Sequence, residues 1–444
     1  MSKLNPEPPM PDYHLLKTAS LDLPEDFELS EDFVRCFNEL ENTRRNLYIT
    51  GEAGTGKTTL LKYFRQNTKK NVVVLAPTGI AAINCYGQTL HSFFKFPPKL
   101  IQKEHVRRVY NGQKIFAKLD MVIIDEASMM RADLLDGVDE ALRLNMNNPD
   151  EAFGGVQMVL FGDLYQLPPI IDKQAKEVYA QRYATPYFFS SKIFEAASFK
   201  RLALEKIYRQ SDTEFTALLN KIRNKTLGAA EIQVLNARVH QKPESSTEDC
   251  ITLTPTNAAA LALNESKLAK LSAEEFIYGA SINGEFDESS YPTEVKLRLK
   301  AGAQVLMIQN DPEKRWVNGS VGELVKLDED FIQVKIEGKT HEVDKAKWKK
   351  IRYKHDPEID KITEEEIGGF EQYPIKLAWA ITIHKSQGLT FDRLIVDFDS
   401  GTFAHGQAYV ALSRCRSLEG LILKRPLAQS DIIFDSRIAR YHAG

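Results

Sequence analysis

Gly51-Glu52-Ala53-Gly54-Thr55-Gly56-Lys57-Thr58 decides the fold of this 444-residue chain. The eight residues fit the pattern G-x-x-x-x-G-K-S/T, and their flanks suit it. Asn46-Leu47-Tyr48-Ile49-Thr50 reads as an apolar strand entering the loop, and Thr59-Leu60-Leu61-Lys62-Tyr63-Phe64 as the helix leaving it. Glycines let backbone N–H groups wrap phosphate oxygens without a Cβ in the way, and a helix N-terminus adds partial positive charge. Lys57 is expected to reach the outer phosphates, and Thr58 to place its hydroxyl on Mg²⁺. Backbone from Gly51 to Thr59 supplies the remaining contacts. A glycine-rich turn without function is the alternative, but it needs neither the strand nor the helix. The expected ligand is a nucleoside triphosphate.

Outward from this loop the texture is α/β. Asp32–Glu41 reads as a helix, and strand candidates follow at Val72–Leu75, Met121–Ile124 and Gln157–Phe161. Short apolar strands alternating with helices predict a parallel sheet covered on both faces. A second α/β pattern starts near Arg201, with strands at Ile251–Thr254 and Leu394–Asp397. Between these strands the runs Gln304–Ile308, Gly322–Leu327, Phe331–Ile336 and Lys339–Val343 are separated by short polar turns, the spacing of a small antiparallel barrel. The resulting division is an extended proline-rich arm over 1–30, a first α/β domain over 31–200, a second over 201–294 and 374–444, and a barrel inserted at 295–373.

Composition fits a cytosolic enzyme, nucleoid-associated if the host is bacterial. Hydrophobic residues make up 43% and charged residues 27%, ordinary globular values. No basic segment followed by an apolar run opens the chain, and no stretch approaches the ~18 apolar residues of a membrane span. Cys36, Cys85, Cys250 and Cys415 are scattered, which points to isolated thiols rather than zinc or disulfides. A net charge of −3 argues against a surface coated in basic charge but leaves room for a local nucleic-acid groove.

Met121-Val122-Ile123-Ile124-Asp125-Glu126 turns nucleotide binding into hydrolysis. Ligands gather at the carboxyl ends of parallel strands. There Asp125 is suited to hold Mg²⁺ and Glu126 to orient and deprotonate the attacking water. Alone, such a pair is an ordinary solvated strand end; behind a complete phosphate loop it is catalytic. The next strand runs into Gly162-Asp163-Leu164-Tyr165-Gln166-Leu167-Pro168-Pro169, where Gln166 would bond both the γ-phosphate and the water. By itself that stretch is only a turn with an exposed amide. The ordered series gives it meaning: phosphate loop, Ala76-Pro77-Thr78-Gly79, Thr89-Leu90-His91-Ser92-Phe93, Asp-Glu, then Gly-Asp-Leu-Tyr-Gln.

This series resembles a superfamily-one DNA helicase of the petite-integration-frequency family. The likeness extends through Tyr208-Arg209-Gln210 with Leu219-Asn220-Lys221-Ile222-Arg223, similar to the family's signature segment. It continues in Leu299–Met307 with Val317–Gly322, in Ile383-His384-Lys385-Ser386-Gln387-Gly388, and in Tyr409-Val410-Ala411-Leu412-Ser413-Arg414. It implies two RecA-like motor domains with the barrel in the second, and ATP-driven 5′→3′ movement on single-stranded DNA. It also implies forked or guanine-quadruplex DNA as partners of a monomer, and no membrane.

Residue by residue, the resemblance assigns Arg209 and Arg414 to the ATP cleft, where a permanent charge and planar donor fork suit phosphate oxygens. Either arginine could instead form a surface ion pair. Gln387 and Gly388 would connect the cleft to the DNA track. The track itself would use Thr78, His91 and Phe93 on the first motor and Thr256, Asn257, His384 and Lys385 on the second, as backbone donors and stacking rings. Phe93 as core and His91 as a satisfied buried histidine are the competing readings. The run Lys345–Lys354 would either grip DNA or form a solvated edge, since lysines also block edge pairing. The insert 97–118 is placed to act as a separation wedge. One departure concerns the base: Phe33 stands where relatives carry a glutamine that reads adenine, which loosens the expectation of strict ATP specificity.

Competing classes are a switch-type ATPase that never tracks along a strand, a non-catalytic nucleic-acid clamp, and a RecD-like recombination helicase. A second motor half bearing arginines disfavours the first. Intact Lys57, Asp125 and Glu126 disfavour the second, and the segment after Arg209 disfavours the third.

Overall fold

The computed structural model describes residues 30–109, 113–171, 175–208, 212–239, 250–398 and 401–443. The proline-rich arm and Arg209 lie outside this set, apart from Ser30.

Six parallel strands form the first sheet: β1 (Leu47–Gly51), β2 (Val72–Ala76), β3 (Gln88–Thr89), β4 (Met121–Ile124), β5 (Gln157–Phe161) and β6 (Lys200–Leu204), ordered β3-β2-β4-β5-β1-β6. Burial on both faces explains why β4 is apolar throughout and β1 and β5 nearly so. Tyr48, Val122, Ile124, Met158 and Leu160 point to one face, packing with Phe94, Phe116 and Leu135. Leu47, Ile49, Met121, Ile123, Val159 and Phe161 point to the other, packing with Phe33, Leu60 and Phe64. Because β1 and β4 both flank β5, the turns after all three strands meet at one end of the sheet. The insert at 97–118 is anchored by Ile101 and by Ile115 and Phe116 of the helix Gln113–Lys118, all buried in the first core.

A second parallel sheet runs Ala380–Thr382, Ile251–Thr254, Leu394–Val396, Leu421–Leu423 in spatial order. The region expected to be a barrel forms a five-stranded antiparallel sheet in the order Lys339–Glu342, Phe331–Ile336, Val321–Asp328, Gln304–Met307, Ile375–Leu377. Among the described residues no ladder joins its two edge strands. Instead, the pair Glu275–Gly279 and Lys296–Lys300 packs on it through Tyr278, Leu297 and Leu299.

The main departure is a long hairpin, Ala346–Asp356 with Lys361–Gln372, that reaches back to the first motor. A bulge between Lys350 and Ile351 breaks its ladder. Burial there passes from Trp348, packed with Phe286 and Phe370, to Tyr353 in the first core. The phenol of Tyr353 accepts from Val74 N (3.0 Å) and donates to Val74 O (3.3 Å), satisfying β2 where the short β3 no longer reaches. The C-terminal helix Ser436–Ala443 also returns to the first motor: Ile438 is buried in that core and Tyr441 stacks on Phe189 at 4.5 Å. A boundary read from strand texture misses both returns.

Candidate active site

The phosphate loop adopts the backbone its glycines allow. Gly54 and Gly56 have φ of 86° and 84°, and Gly56 caps the helix Lys57–Asn67. Thr55 Oγ1 donates to Glu52 O at 3.0 Å. Lys57 Nζ donates to Gly51 O (2.6 Å) and Glu52 O (2.9 Å), so its ammonium is held over the cradle. Thr58 is exposed at the first turn of the helix.

Asp125 and Glu126 follow β4. Asp125 Oδ1 accepts from Glu126 N at 2.9 Å, and Glu126 takes a left-handed backbone with φ 51°, unusual for a residue with a Cβ. Burial, and then the neighbouring Glu126 charge, push Asp125 well above the usual carboxylate range. Burial likewise raises Glu126, against the opposing charges of Lys57 and Arg414. Two crowded carboxylates are a pair that a divalent cation would relieve. Mg²⁺ commonly takes only one or two protein ligands, the rest coming from phosphate and water. Thr58 and Asp125 fit that role. Gly162, after β5, lets that strand end approach the backbone that follows Glu126, because a Cβ there would lie 2.9 Å from Ser128 N.

Gln166 is buried, with its Nε2 3.4 Å from Asp163 Oδ2. Asp163 is buried too. Burial would raise its pKa, but Arg223 and Lys57 overcome that and hold it below the usual carboxylate range. Arg223 comes from the helix Thr213–Arg223 of the second motor, and its Nη2 lies 3.0 Å from Asp163 Oδ1. The second motor touches the phosphate loop itself as well. Ala53 N donates to Tyr409 Oη at 3.3 Å, and the Asn220 amide, suitably oriented, donates to both Glu52 oxygens at 2.8 Å.

Arg414 is fully buried. Its Nε donates to Val410 O (2.9 Å), Nη2 to Ser413 Oγ (2.9 Å) and Nη1 to Leu389 O (3.4 Å), so its own motor holds the guanidinium while its charge acts on Glu126. Gly388 has φ 82°, and among the described residues Gln387 Nε2 is buried without a hydrogen-bond partner, a donor left for a ligand.

The track residues are placed unevenly. Thr78 and Thr256 occupy matching positions, each capping a helix after a parallel strand: Thr78 Oγ1 accepts from Ala81 N and Thr256 Oγ1 from Ala259 N, both at 3.3 Å. Asn257 and Lys385 are exposed, and His91 is half-buried. His384 is half-buried and stacks on Phe403, a ring 61% exposed that sequence reasoning did not single out. Phe93 takes the competing core position in this structure: it is buried against Phe94, Phe116 and Tyr353, with the hairpin over it. The basic run is also engaged: Lys347 and Lys349 pair with Glu366, Lys350 with Asp287, Arg352 with Glu285 and Lys354 with Glu365. Arg223, Asn220 and Tyr409 lay inside quoted motifs without a role. An arginine ending an amphipathic helix is indistinguishable in sequence from one that serves the helix dipole.

A phosphate loop, a paired carboxylate and basic groups contributed by a second parallel-sheet unit define a two-motor nucleotide hydrolase. Within that class the chain belongs to the PIF1-like helicase family. That family's model matches residues 29–231, and ATP-dependent DNA helicase Pif1 of Bdellovibrio bacteriovorus is 32% identical over 94% of this chain and 92% of that protein. The Xenopus laevis ATP-dependent DNA helicase PIF1 is 30% identical over 91% of this chain, which spans 62% of it. Bacteroides sp. Pif1 in complex with ADP-AlF4 superposes with a TM-score of 0.87 at 38% identity, covering 94% of this chain and 97% of that one. Bacteroides Pif1 bound to single-stranded DNA covers the same shares at 39% identity with a TM-score of 0.68. No helix among the described residues is long and apolar enough to cross a membrane.

Proposed function

We propose that the chain is an ATP-dependent DNA helicase that moves 5′→3′ along single-stranded DNA and unwinds forked or structured duplex. The observation that carries this reading is the meeting of both motors on one phosphate loop, with Arg414 acting on Glu126 and Tyr409 on Ala53. Hydrolysis in such a cleft depends on closure, so chemistry is tied to motion. Within it Lys57, Arg209 and Arg414 stabilise the transferring phosphoryl group. Glu126 is the base, Gln166 positions water, and Thr58 with Asp125 hold Mg²⁺. A switch ATPase would have no use for Thr78 and Thr256 at equivalent strand ends, which suit successive phosphates of one strand. Phe33 is buried edge-on to Tyr63 at 5.7 Å and offers the base no amide, which supports relaxed nucleotide choice. The insert 97–118 serves as wedge, and the antiparallel sheet with its packed strand pair as a small barrel.

The two Bacteroides comparisons support a further step in the cycle. Likeness is greater to the form with nucleotide than to the form with DNA. Here Ser290 packs on Gly79, beside Thr78, and the hairpin covers Phe93. This is the DNA-free arrangement, and DNA entry unseats the hairpin. The deciding test is unwinding of matched duplexes bearing 5′ or 3′ single-strand tails. Separation of only the 3′-tailed substrate refutes the polarity, and no separation of either refutes the helicase reading.

A further inference from the structure

We infer that Arg223 is a positioning residue that fixes the γ-phosphate-side amide Gln166 from the opposite motor, making the water-orienting group itself dependent on closure. The inference rests on the motor reading above and adds a residue and a route to it.

Arg223 spans three groups of the first motor at once. Its Nη2 lies 3.0 Å from Asp163 Oδ1, its Nη1 3.8 Å from Glu52 Oε1, and its guanidinium 3.8 Å from the centre of the Tyr165 ring. Asp163 then organises the turn that carries Gln166, accepting from Tyr165 N at 3.1 Å and lying 3.4 Å from Gln166 Nε2. Close approach is built in from the other side as well. Gly406 of the second motor has φ 72°, and a Cβ there would fall 2.6 Å from Gln166 O. His405 beside it lies 3.1 Å from Leu164 O; its Nδ1 accepts from Asp435 N, so Nε2 carries the hydrogen and donates.

Removing the second motor would leave Asp163 as a buried carboxylate without its cation, an expensive state that reorganises the turn. Open and closed clefts therefore differ in whether Gln166 is held. Arginine suits the task because one planar fork can bond a carboxylate while stacking on a ring; lysine, a point charge, cannot do both.

The experiment uses the full chain and measures DNA-stimulated ATP turnover with oligo-dT, thermal melting and oligo-dT affinity. Arg223→Gln is expected to lower the stimulated kcat by about 10- to 100-fold, the range typical of a misplaced positioning group. Its KM for ATP and its DNA affinity are expected to stay within about threefold. Arg223→Lys should recover part of the rate. Asp163→Asn should cost a similar factor, and the double variant should lose no more than the worse single one, because both cut the same route. If Arg223→Gln does not melt cooperatively, Arg223→Lys with Asp163→Asn carries the same cycle. A full stimulated rate, multiplying losses, or a raised KM with unchanged kcat overturns the inference. A wild type indifferent to DNA overturns the motor reading and this inference together, whereas a stimulated wild type beside a normal Arg223→Gln overturns only the latter.

Discussion

Tyr353→Phe removes one oxygen and asks whether the seated hairpin holds the DNA-free state. That oxygen accepts from Val74 N at 3.0 Å and donates to Val74 O at 3.3 Å, on a side chain only 4% exposed. Phenylalanine keeps the packing against Phe93 but leaves a buried N–H and carbonyl of β2 unsatisfied, at a cost of about 1–3 kcal/mol. The cost falls only on the conformer in which the hairpin is seated. If DNA entry unseats it, the same quantity appears as a gain in apparent DNA affinity, about 5- to 150-fold for that range. Arg65–Glu364 and Lys118–Asp360 also tie the hairpin to the first motor. Both are solvent-accessible pairs, worth about 0–1 kcal/mol each, so the phenol dominates. Anisotropy with labelled oligo-dT and thermal melting give the two halves of the test. The expected result is a lower melting temperature with tighter DNA binding. A lower melting temperature with unchanged or weaker binding refutes the reasoning, because the hairpin would then stay seated with DNA bound.

Three further outcomes are expected. Glu126→Gln should retain nucleotide and lose about 10²–10⁴-fold in turnover, whereas Lys57→Ala should weaken binding as well; steady-state ATPase and fluorescent-nucleotide titration separate the two. Replacing Lys347, Lys349 and Lys350 by alanine should leave the salt dependence of DNA binding unchanged, since all three already pair with carboxylates; each true phosphate contact on a single strand contributes ~0.7 to that slope. Docking of the C-terminal helix should weaken in acid. His442 Nδ1 accepts from Arg201, and burial, then Arg201 and Arg223, hold its pKa at about 4, with Asp163 opposing. The neutral ring's contribution is complete above the unfolded pKa of about 6.5 and is lost as pH falls from there towards 4. Melting curves between pH 8 and pH 5 should show this loss, and His442→Phe should flatten it.

The nucleotide half of the site was legible because a phosphate loop is local. Its strand, glycines and helix are contiguous, and β1, β4 and β5 announce themselves as short, largely apolar runs. What remained illegible depends on contacts distant in sequence. Tyr353 meets Val74 across 279 residues, and no period in either segment announces the partner. Phe93 looked like a stacking ring because its motif context is that of the track, yet the hairpin that buries it is encoded elsewhere. The run Lys345–Lys354 looked basic because its counterions, Glu365 and Glu366 on the neighbouring strand and Glu285 with Asp287 from another segment, come together only on folding. Arg223 was quoted and passed over: Phe215, Leu218, Leu219 and Ile222 account for the helix face, and nothing local separates an arginine that crosses a cleft from one that faces water.

The contacts between the two motors are of two chemical kinds, and the division has mechanical consequences. At the cleft they are polar: Arg223 with Asp163, Asn220 with Glu52, Tyr409 with Ala53. At the C-terminal helix they are apolar and aromatic: Ile438 sits in the first core, Tyr441 on Phe189, and His442 on Tyr165 at 5.1 Å. Polar groups that part are rehydrated, which offsets most of their attraction, whereas apolar surface that parts regains nothing from water. An opening of the cleft that leaves Ser436–Ala443 docked therefore exposes polar pairs rather than apolar surface, with the buried Asp163 as a costly exception. Tyr165 lies where the two regimes meet, with Arg223 against its ring at 3.8 Å and His442 stacked on it. A turn held by the C-terminal helix on one side and by Arg223 on the other is fixed from both directions, which is what a residue positioned to orient water requires.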